Sequence, residues 1–504
     1  MMSHHVLQNG SDIRGIAIAT DELAVNLTPE AITKIVRGLV YWLCQDDRLK
    51  EIYQAGKLTI GIGRDSRLSG PSLVGAFTAE AVRLGVQVID FGLATTPALF
   101  MSTQYEKFAC HAGVMVTASH LPYYFNGIKI FSQKGGAEQE DIAFILKNDQ
   151  DLAEQPGGTV QTADLLTPYA ADLVGKIRQA NQGKKQPLKG LHIIVDAGNG
   201  AGGFFAEKVL QALGANTMGS QFLDPDGTFP NHIPNPDNKE AMASIQAAVL
   251  EHRADLGIIF DTDVDRAALV TKSGEMLNRN NLIAVLSQII LQEHPGTSIV
   301  TNSPTSEHLK RFIEALGGKQ IRYISGYRNV INKAIATNKA GIDCQLAIET
   351  SGHAAFKENY FLDDGTYVAA KVLMLLPRLQ AEGTSLEDLI SQLKQPIETQ
   401  EVRFKLETKD YRALGEQVIA DLRTQSIQGF QMNPENEEGV RFDVTAPYGE
   451  GWFLLRMSLH EPLLVLQVEN DQPGYILPIL KRLSEYLSAY PQVNQEGMKV
   501  IIGK

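Results

Sequence analysis

Three aspartates end one apolar run. In LGIIFDTDVDRAALV (residues 256–270) they stand at positions 261, 263 and 265, and Arg266 follows at once. Alternate spacing turns three carboxylates toward one side of an extended chain. Clustered anions repel one another unless a cation sits among them, and an all-oxygen ligand set favours Mg²⁺ over Zn²⁺. Arg266 is placed to hold a phosphate. A solvated acidic turn is the plain alternative, and the buried character of the preceding strand speaks against it. The segment is not an EF-hand, because Arg266 stands where that loop requires glycine and Lys272 where it requires glutamate.

A second stretch, VMVTASHLPYYFNGIKIF (residues 114–131), sets Ser119 and His120 after an apolar strand, on a turn fixed by Pro122. A free serine hydroxyl is a weak nucleophile and needs activation. No G-x-S-x-G elbow surrounds it, and a neighbour in sequence is not thereby oriented as a base. A phosphate on Ser119 would make the pattern coherent, since its oxygens would add a ligand to a metal at the aspartates. A Ser-His pair of structural role is the alternative.

A third stretch, CQLAIETSGH, delivers Glu349, Ser351 and His353 at alternate positions. Such groups on one side suit sugar hydroxyls; a capping serine beside a glycine is the plainer reading. Two turns carry arginines that could bind phosphate, or merely face solvent: GRDSRLSG with Arg64 and Arg67, and LLRMSLHEP with Arg456 and Ser458. GNGAGG (residues 198–203) fits a dinucleotide-binding turn, but a lone match is weak. It sits in mid-chain among other glycine turns, and a tight strand-to-helix turn explains it.

The elements that must position these groups repeat. KLTIGIGRDSRLSG, GLHIIVDAGNGAGG and GTSIVTNSPTS each read as a short apolar strand, a polar loop, then an amphipathic helix. Such units build mostly parallel α/β sheets, so three α/β domains in series are expected. From about Pro396 the chain reads VRFKLE, VRFDVTAP, GWFLLRMSL and LLVLQVEN with few crossovers, which predicts an antiparallel α+β domain. GKKQP (residues 183–187) and residues 394–396 are candidate connectors.

Length and composition agree. The chain has 504 residues, 44% hydrophobic and 21% charged, enough for several cores. A net charge of -12 argues against a general nucleic-acid partner but leaves room for a local basic pocket. Cys44, Cys110 and Cys344 are scattered and form no C-x-x-C, which fits a reducing compartment. No run approaches the ~18 apolar residues of a membrane span, and MMSHHVLQNG has no apolar signal core. A cytoplasmic, soluble protein is expected.

TASHLP, DTDVDR, ETSGH and RMSLHEP occur in this order, with GSDIRG (residues 10–15), GRDSRLSG, NGIKIF and FPNHIPNP between and around them. Over nearly the whole chain this set resembles the α-D-phosphohexomutase superfamily, above all its phosphomannomutase/phosphoglucomutase branch. The resemblance implies three similar α/β domains and a smaller C-terminal α+β domain around a central cleft. The expected boundaries are 1–160, 161–275, 276–395 and 396–504.

It implies that Ser119 is a phosphoserine, and that Asp261, Asp263, Asp265 and the seryl phosphate hold Mg²⁺. Arg14, His120 and Lys129 would line the transfer site, with Arg266 beside the metal. Glu349, Ser351 and His353 would bind sugar hydroxyls, and Arg456 and Ser458 the phosphate that is not reacting. Near the sugar site Arg328 stands where a lysine is usual. The implied reaction is reversible phosphoryl transfer between the 1- and 6-positions of a glucose or mannose phosphate through a 1,6-bisphosphate, with glucose 1,6-bisphosphate as activator. The implied partners are small hexose phosphates, with no nucleic acid or membrane, and the chain is expected as a monomer or homodimer.

The chain departs from the common pattern in places. Leu459 and His460 replace the glycine and threonine of R-x-S-G-T-E-P, and DTDVDR replaces D-G-D-G-D-R with its aspartates kept. Thr350 stands where related enzymes carry methionine or glutamine. A glucosamine phosphate mutase and a hexose 1,6-bisphosphate synthase therefore remain alternatives on the same fold. So do an aspartate-nucleophile phosphatase acting through Asp261 and a sugar-phosphate sensor without catalysis.

Overall fold

Thr28 opens the first long helix, Pro29–Leu43, by accepting a hydrogen bond from Ala31 N, with proline at its first position. Its buried residues Ala31, Ile32, Ile35, Val36, Leu39 and Leu43 recur every three or four positions and form one face. That face belongs to a core shared with the strands Thr59–Arg64 and Ala112–Val116. All five residues of AGVMV are buried, as for a central strand covered on both sides. The computed structural model describes residues 7–459 and 461–503.

The chain divides into two compact units, Met1–Leu286 with Ser351–Asp388, and Ser287–Thr350 with Leu389–Lys504. The first unit begins with a large mixed sheet. Ala112–Val116, Thr59–Arg64, Gln87–Leu93 and Thr159–Thr162 lie parallel in that order. On the other side Phe125–Ser132 pairs antiparallel with Ala112–Val116, and Asp12–Ile16 antiparallel with Phe125–Ser132. GSDIRG and NGIKIF are thus neighbouring strands, with Arg14 opposite Gly127.

A second sheet of four strands follows in the same unit. Ile193–Asp196 and Leu256–Phe260 are parallel, and Leu256–Phe260, Ala267–Thr271 and Met276–Leu277 continue antiparallel. After Ile193–Asp196 the expected amphipathic helix is a π-type turn, Phe205–Leu210, closed by a 3₁₀ turn, Gln211–Leu213. The short hairpin Ala354–Phe356 with Leu362–Asp363 and the buried helix Gly365–Glu382 complete the unit.

The second unit holds three parallel strands, Lys319–Tyr323, Ser298–Asn302 and Cys344–Ile348. It also holds a five-stranded antiparallel sheet, in the order Glu398–Lys405, Leu463–Asn470, Gly451–Met457, Val440–Val444, Phe430–Met432. Helices Tyr411–Thr424 and Ile476–Leu487 supply the buried residues that cover it, with Phe430, Phe442 and Phe453 in contact at the centre. Arg441 joins the two parts: fully buried, it donates to the carbonyls of Ser303 (3.1 Å) and Thr305 (3.0 Å) and stacks on Trp452. Among the described residues no helix is long and apolar enough to cross a membrane.

Candidate active site

The buried strand Ala112–Val116 runs directly into the loop that carries Ser119. Ser119 is fully buried and has a left-handed backbone, φ +51°. Its Oγ donates to Asp261 Oδ2 at 2.8 Å and accepts from Arg266 Nη2 at 3.1 Å. Two residues distant by more than a hundred positions thus converge on one hydroxyl.

Asp261, Asp263 and Asp265 lie in the loop between the antiparallel strands Leu256–Phe260 and Ala267–Thr271, whose pairing brings Phe260 opposite Ala267. One carboxylate oxygen from each falls within 4.8 Å of the others, and all three residues are buried. The loop turns at Val264, φ +67°. Burial, with the charges of Asp265 and Asp263, pushes the Asp261 carboxyl well up. Burial would raise Asp265 too, but Lys129 and His353 outweigh it and hold that carboxyl well down.

The positive groups are arranged against these carboxylates. Lys129, 3% exposed on strand Phe125–Ser132, pairs with Asp265 and lies 3.1 Å from Asp263 Oδ2. His353 Nε2 lies 3.5 Å from Asp265 Oδ1, and its Nδ1 is 3.0 Å from Ser351 Oγ. Arg14 donates to the carbonyl of Ala118 at 2.9 Å and pairs with Asp12. His120 Nδ1 faces Arg266 Nη2 and so acts as an acceptor, which makes the ring neutral with its hydrogen on Nε2. Burial, reinforced by Arg266 and Arg14, holds its pKa well below the usual histidine value.

The three aspartates fit a divalent cation. Their donors are hard oxygens, and Asp263 Oδ1 is buried with no hydrogen-bond partner. The other oxygen of Asp263 accepts from Thr96 Oγ1 at 2.5 Å, while Thr96 N donates to the Asp263 carbonyl at 2.9 Å. Thr96 begins the helix Thr96–Met101, which Thr95 caps. Nothing in TTPALFM marks it as part of a site.

The ETSGH loop divides between the units: Glu349 and Thr350 belong to the second, Ser351 and His353 to the first. In the second unit Glu349 Oε1 accepts from Gly326 N at 2.7 Å, just ahead of helix Tyr327–Lys339, which carries Arg328. Thr350 is held by Asn302 through both its hydroxyl and its N–H, each at 3.0 Å. Arg456 lies 3.8 Å from Glu438, and Glu438 accepts from Ser325 Oγ at 2.7 Å. Glu438, buried and shifted upward by that burial against the pull of Arg456, therefore links the Arg456 loop to the turn that Glu349 grips. Sequence reasoning missed Glu438, which sits in an acidic surface-like run, NPENEEG. Ser458 Oγ accepts from Glu461 N at 3.3 Å, and Leu459 is exposed. His460 lies outside the described residues.

Of the two arginines in GRDSRLSG, Arg64 donates to the carbonyl of Asp65, and Arg67 is fully buried with all its donors on protein oxygens. Arg67 therefore binds neither solvent nor phosphate. A local pattern cannot distinguish an arginine facing a ligand from one facing its own chain.

Comparison with known proteins shows three matches along the chain. Residues 5–151 match the family model described as phosphoglucomutase/phosphomannomutase, alpha/beta/alpha domain I; residues 167–274 match domain II, and residues 278–396 domain III. A phosphomannomutase/phosphoglucomutase of Pseudomonas putida is 33% identical over 436 residues, 86% of this chain and 87% of that protein. A phosphoglucomutase of Neisseria gonorrhoeae is 31% identical over 471 residues, 91% of this chain and 96% of that one. The crystal structure of a phosphoglucomutase/phosphomannomutase family protein from Burkholderia thailandensis superposes with a TM-score of 0.78 at 26% identity, over 98% of this chain and 99% of that one.

Proposed function

This chain belongs to the phosphoglucomutase/phosphomannomutase family and is a phosphate-transferring isomerase, and from that premise we propose that Ser119 carries the phosphoryl group between the 1- and 6-oxygens of glucose and mannose phosphates. The observation that supports this most is the single buried hydroxyl of Ser119, bonded at once to Asp261 and to Arg266. In the transfer, the bond between Ser119 Oγ and phosphorus breaks as the bond between phosphorus and the sugar oxygen forms. The sugar's hydroxyl proton ends on Ser119 Oγ, which then donates to Asp261 as it does here. The resulting 1,6-bisphosphate returns its other phosphate to Ser119 by the reverse exchange.

Arg266 Nη2 stands where charge collects on Ser119 Oγ as the phosphoryl group leaves. Neutral His120 offers its Nε2 hydrogen to a phosphoryl oxygen, and Lys129 balances the carboxylates of Asp263 and Asp265. Asp261, Asp263 and Asp265 would hold Mg²⁺ together with the seryl phosphate, and the ion would supply charge stabilisation to the phosphoryl oxygens. Ser119 is completely buried without its phosphate, and a site closed over bound sugar would keep water from the phosphoserine. Glu349, Ser351, His353 and Arg328 are assigned to the sugar, and Arg456 and Ser458 to the phosphate that is not reacting. The domain limits 1–160, 161–275, 276–395 and 396–504, a cytoplasmic setting and a monomer or homodimer belong to the same reading.

The test is a substrate panel. With Mg²⁺ and a trace of glucose 1,6-bisphosphate as activator, glucose 1-phosphate and mannose 1-phosphate are converted to their 6-phosphates, and glucosamine 1-phosphate more slowly. Absence of conversion of all three would contradict the assignment.

A further inference from the structure

Ser119 is held by its backbone as well as by its hydroxyl. The guanidinium of Arg67 donates to the carbonyl oxygens of Ser119 (2.5 Å), Leu121 (2.6 Å), Pro122 (2.7 Å) and Phe125 (3.0 Å). Its Nε donates to Asp65 Oδ2 at 3.2 Å. A guanidinium has five N–H donors in a rigid fork, and every one of these is used. Asp65 closes the network: it also accepts from Arg67 N at 2.9 Å and from Thr117 Oγ1 at 2.7 Å. Thr117 Oγ1 in turn accepts from Ser119 N at 2.9 Å. Both polar backbone atoms of Ser119 are thus fixed from the ends of two adjacent parallel strands, Thr59–Arg64 and Ala112–Val116.

The backbone of Ser119 needs this hold. At φ +51° a residue with a Cβ is strained and stays there only where its surroundings over-determine it. The FPNHIPNP segment adds a cover. The Phe229 ring lies over the guanidinium, 5.2 Å from Arg67 Cζ. Gly227 comes so close that a Cβ on it would lie 2.4 Å from the carbonyl oxygen of Ser66. The ion pair of Arg67 and Asp65 is completely buried, so it has no solvent to compete with.

We propose that Arg67 is the positioning residue of the phosphoryl-carrying serine: with Asp65 and Thr117 it holds Ser119 in its left-handed backbone, so that Oγ stays aimed at Asp261 and Arg266 in both halves of the reaction. Arg67 touches no reacting atom and acts through the loop. The inference rests on the reading of Ser119 as the carrier.

Thr117→Val removes the hydroxyl that joins Asp65 to Ser119 N and keeps the shape, whereas Thr117→Ser keeps the hydroxyl. Arg67→Lys keeps a charge but has too few donors for the fork. Each variant, with Ser119→Ala beside them, is assayed for kcat, KM, thermal midpoint and the single-turnover rate of phosphate uptake from glucose 1,6-bisphosphate. A misplacement of ~1 Å costs on the order of 100-fold. We expect Thr117→Val and Arg67→Lys to lower kcat and phosphate uptake about 10- to 100-fold with KM nearly unchanged, and Thr117→Ser to retain most of the rate. Phosphate uptake by Ser119→Ala at the wild-type rate would overturn the carrier reading itself. If Ser119→Ala takes up no phosphate while Thr117→Val matches wild type, the positioning role is wrong. Equal loss in Thr117→Val and Thr117→Ser would also overturn it, because the hydroxyl would then not matter.

Discussion

Replacing Thr96 by valine removes one hydroxyl and almost nothing else. That hydroxyl donates to Asp263 Oδ2 at 2.5 Å between two buried residues. A hydrogen bond to a charged group contributes ~1.5–3 kcal/mol. Lys129 remains 3.1 Å from the same oxygen, and Thr96 N still holds the Asp263 carbonyl, so the lower half of that range applies. The other Asp263 oxygen has no hydrogen-bond partner, so without Thr96 the carboxylate is freer to rotate about its Cβ–Cγ bond. About 1.5–2 kcal/mol of lost orientation corresponds to roughly 10- to 30-fold weaker metal binding, within the range for an outer partner of a metal ligand. Isothermal titration of the metal-free protein with Mg²⁺ or Mn²⁺ reads this without any turnover. Thr96→Val should bind about 10- to 30-fold more weakly and Thr96→Ser nearly as wild type. Thr96→Val with wild-type affinity would refute the argument that Thr96 orients Asp263.

Two further outcomes follow from buried groups. Val264, fully buried at φ +67°, holds a conformation that glycine adopts freely. Val264→Gly relieves ~1–3 kcal/mol of strain but loses ~1.5–3 kcal/mol of burial and ~0.5–1 kcal/mol of chain entropy. Urea unfolding should therefore show the variant destabilised by about 1 kcal/mol, and a clear gain in stability would refute the balance. His232 lies between acceptors, with Nε2 2.9 Å from Asp196 Oδ2 and Nδ1 3.0 Å from the Ile233 carbonyl. Burial opposes its charge, but the Asp196 hydrogen bond and charge outweigh it and raise its pKa. Its stabilising effect is complete below the unfolded value near ~6.5 and is lost as pH rises through the higher folded value. Unfolding midpoints of wild type should fall relative to His232→Gln as pH rises through that window, and parallel curves would contradict the assignment.

Asp261, Asp263 and Asp265 follow an apolar strand at alternate positions, and that spacing marks them as a candidate site. The roles of Ser119 and Arg266 came instead from the family resemblance, because neither stands in an alternating pattern. GSDIRG and NGIKIF could be recognised as motifs, but their antiparallel pairing across more than a hundred residues, on the antiparallel side of a mixed sheet, is set by long-range register that no local pattern carries. Thr96 and Glu438 escaped notice because each acts by touching another residue, and their own surroundings in sequence are ordinary. Arg67 was legible as a cation suited to phosphate; only the fold shows that its fork meets carbonyl oxygens. The strands after residue 396 predict an antiparallel domain. They do not show that Arg441 ties that sheet to the loop at Ser303 and Thr305, beside the Ser306–Glu469 and His308–Asp471 hydrogen bonds between the same two parts of one compact unit.

The most direct test of the account is where phosphate resides. The protein is incubated with glucose 1,6-bisphosphate labelled in its phosphates, digested, and the labelled peptide identified by mass spectrometry, with Ser119→Ala in parallel. The account expects label on Ser119, complete loss of label in Ser119→Ala, and loss of mutase activity with it. Label on Asp261, or mutase activity undiminished in Ser119→Ala, would contradict it.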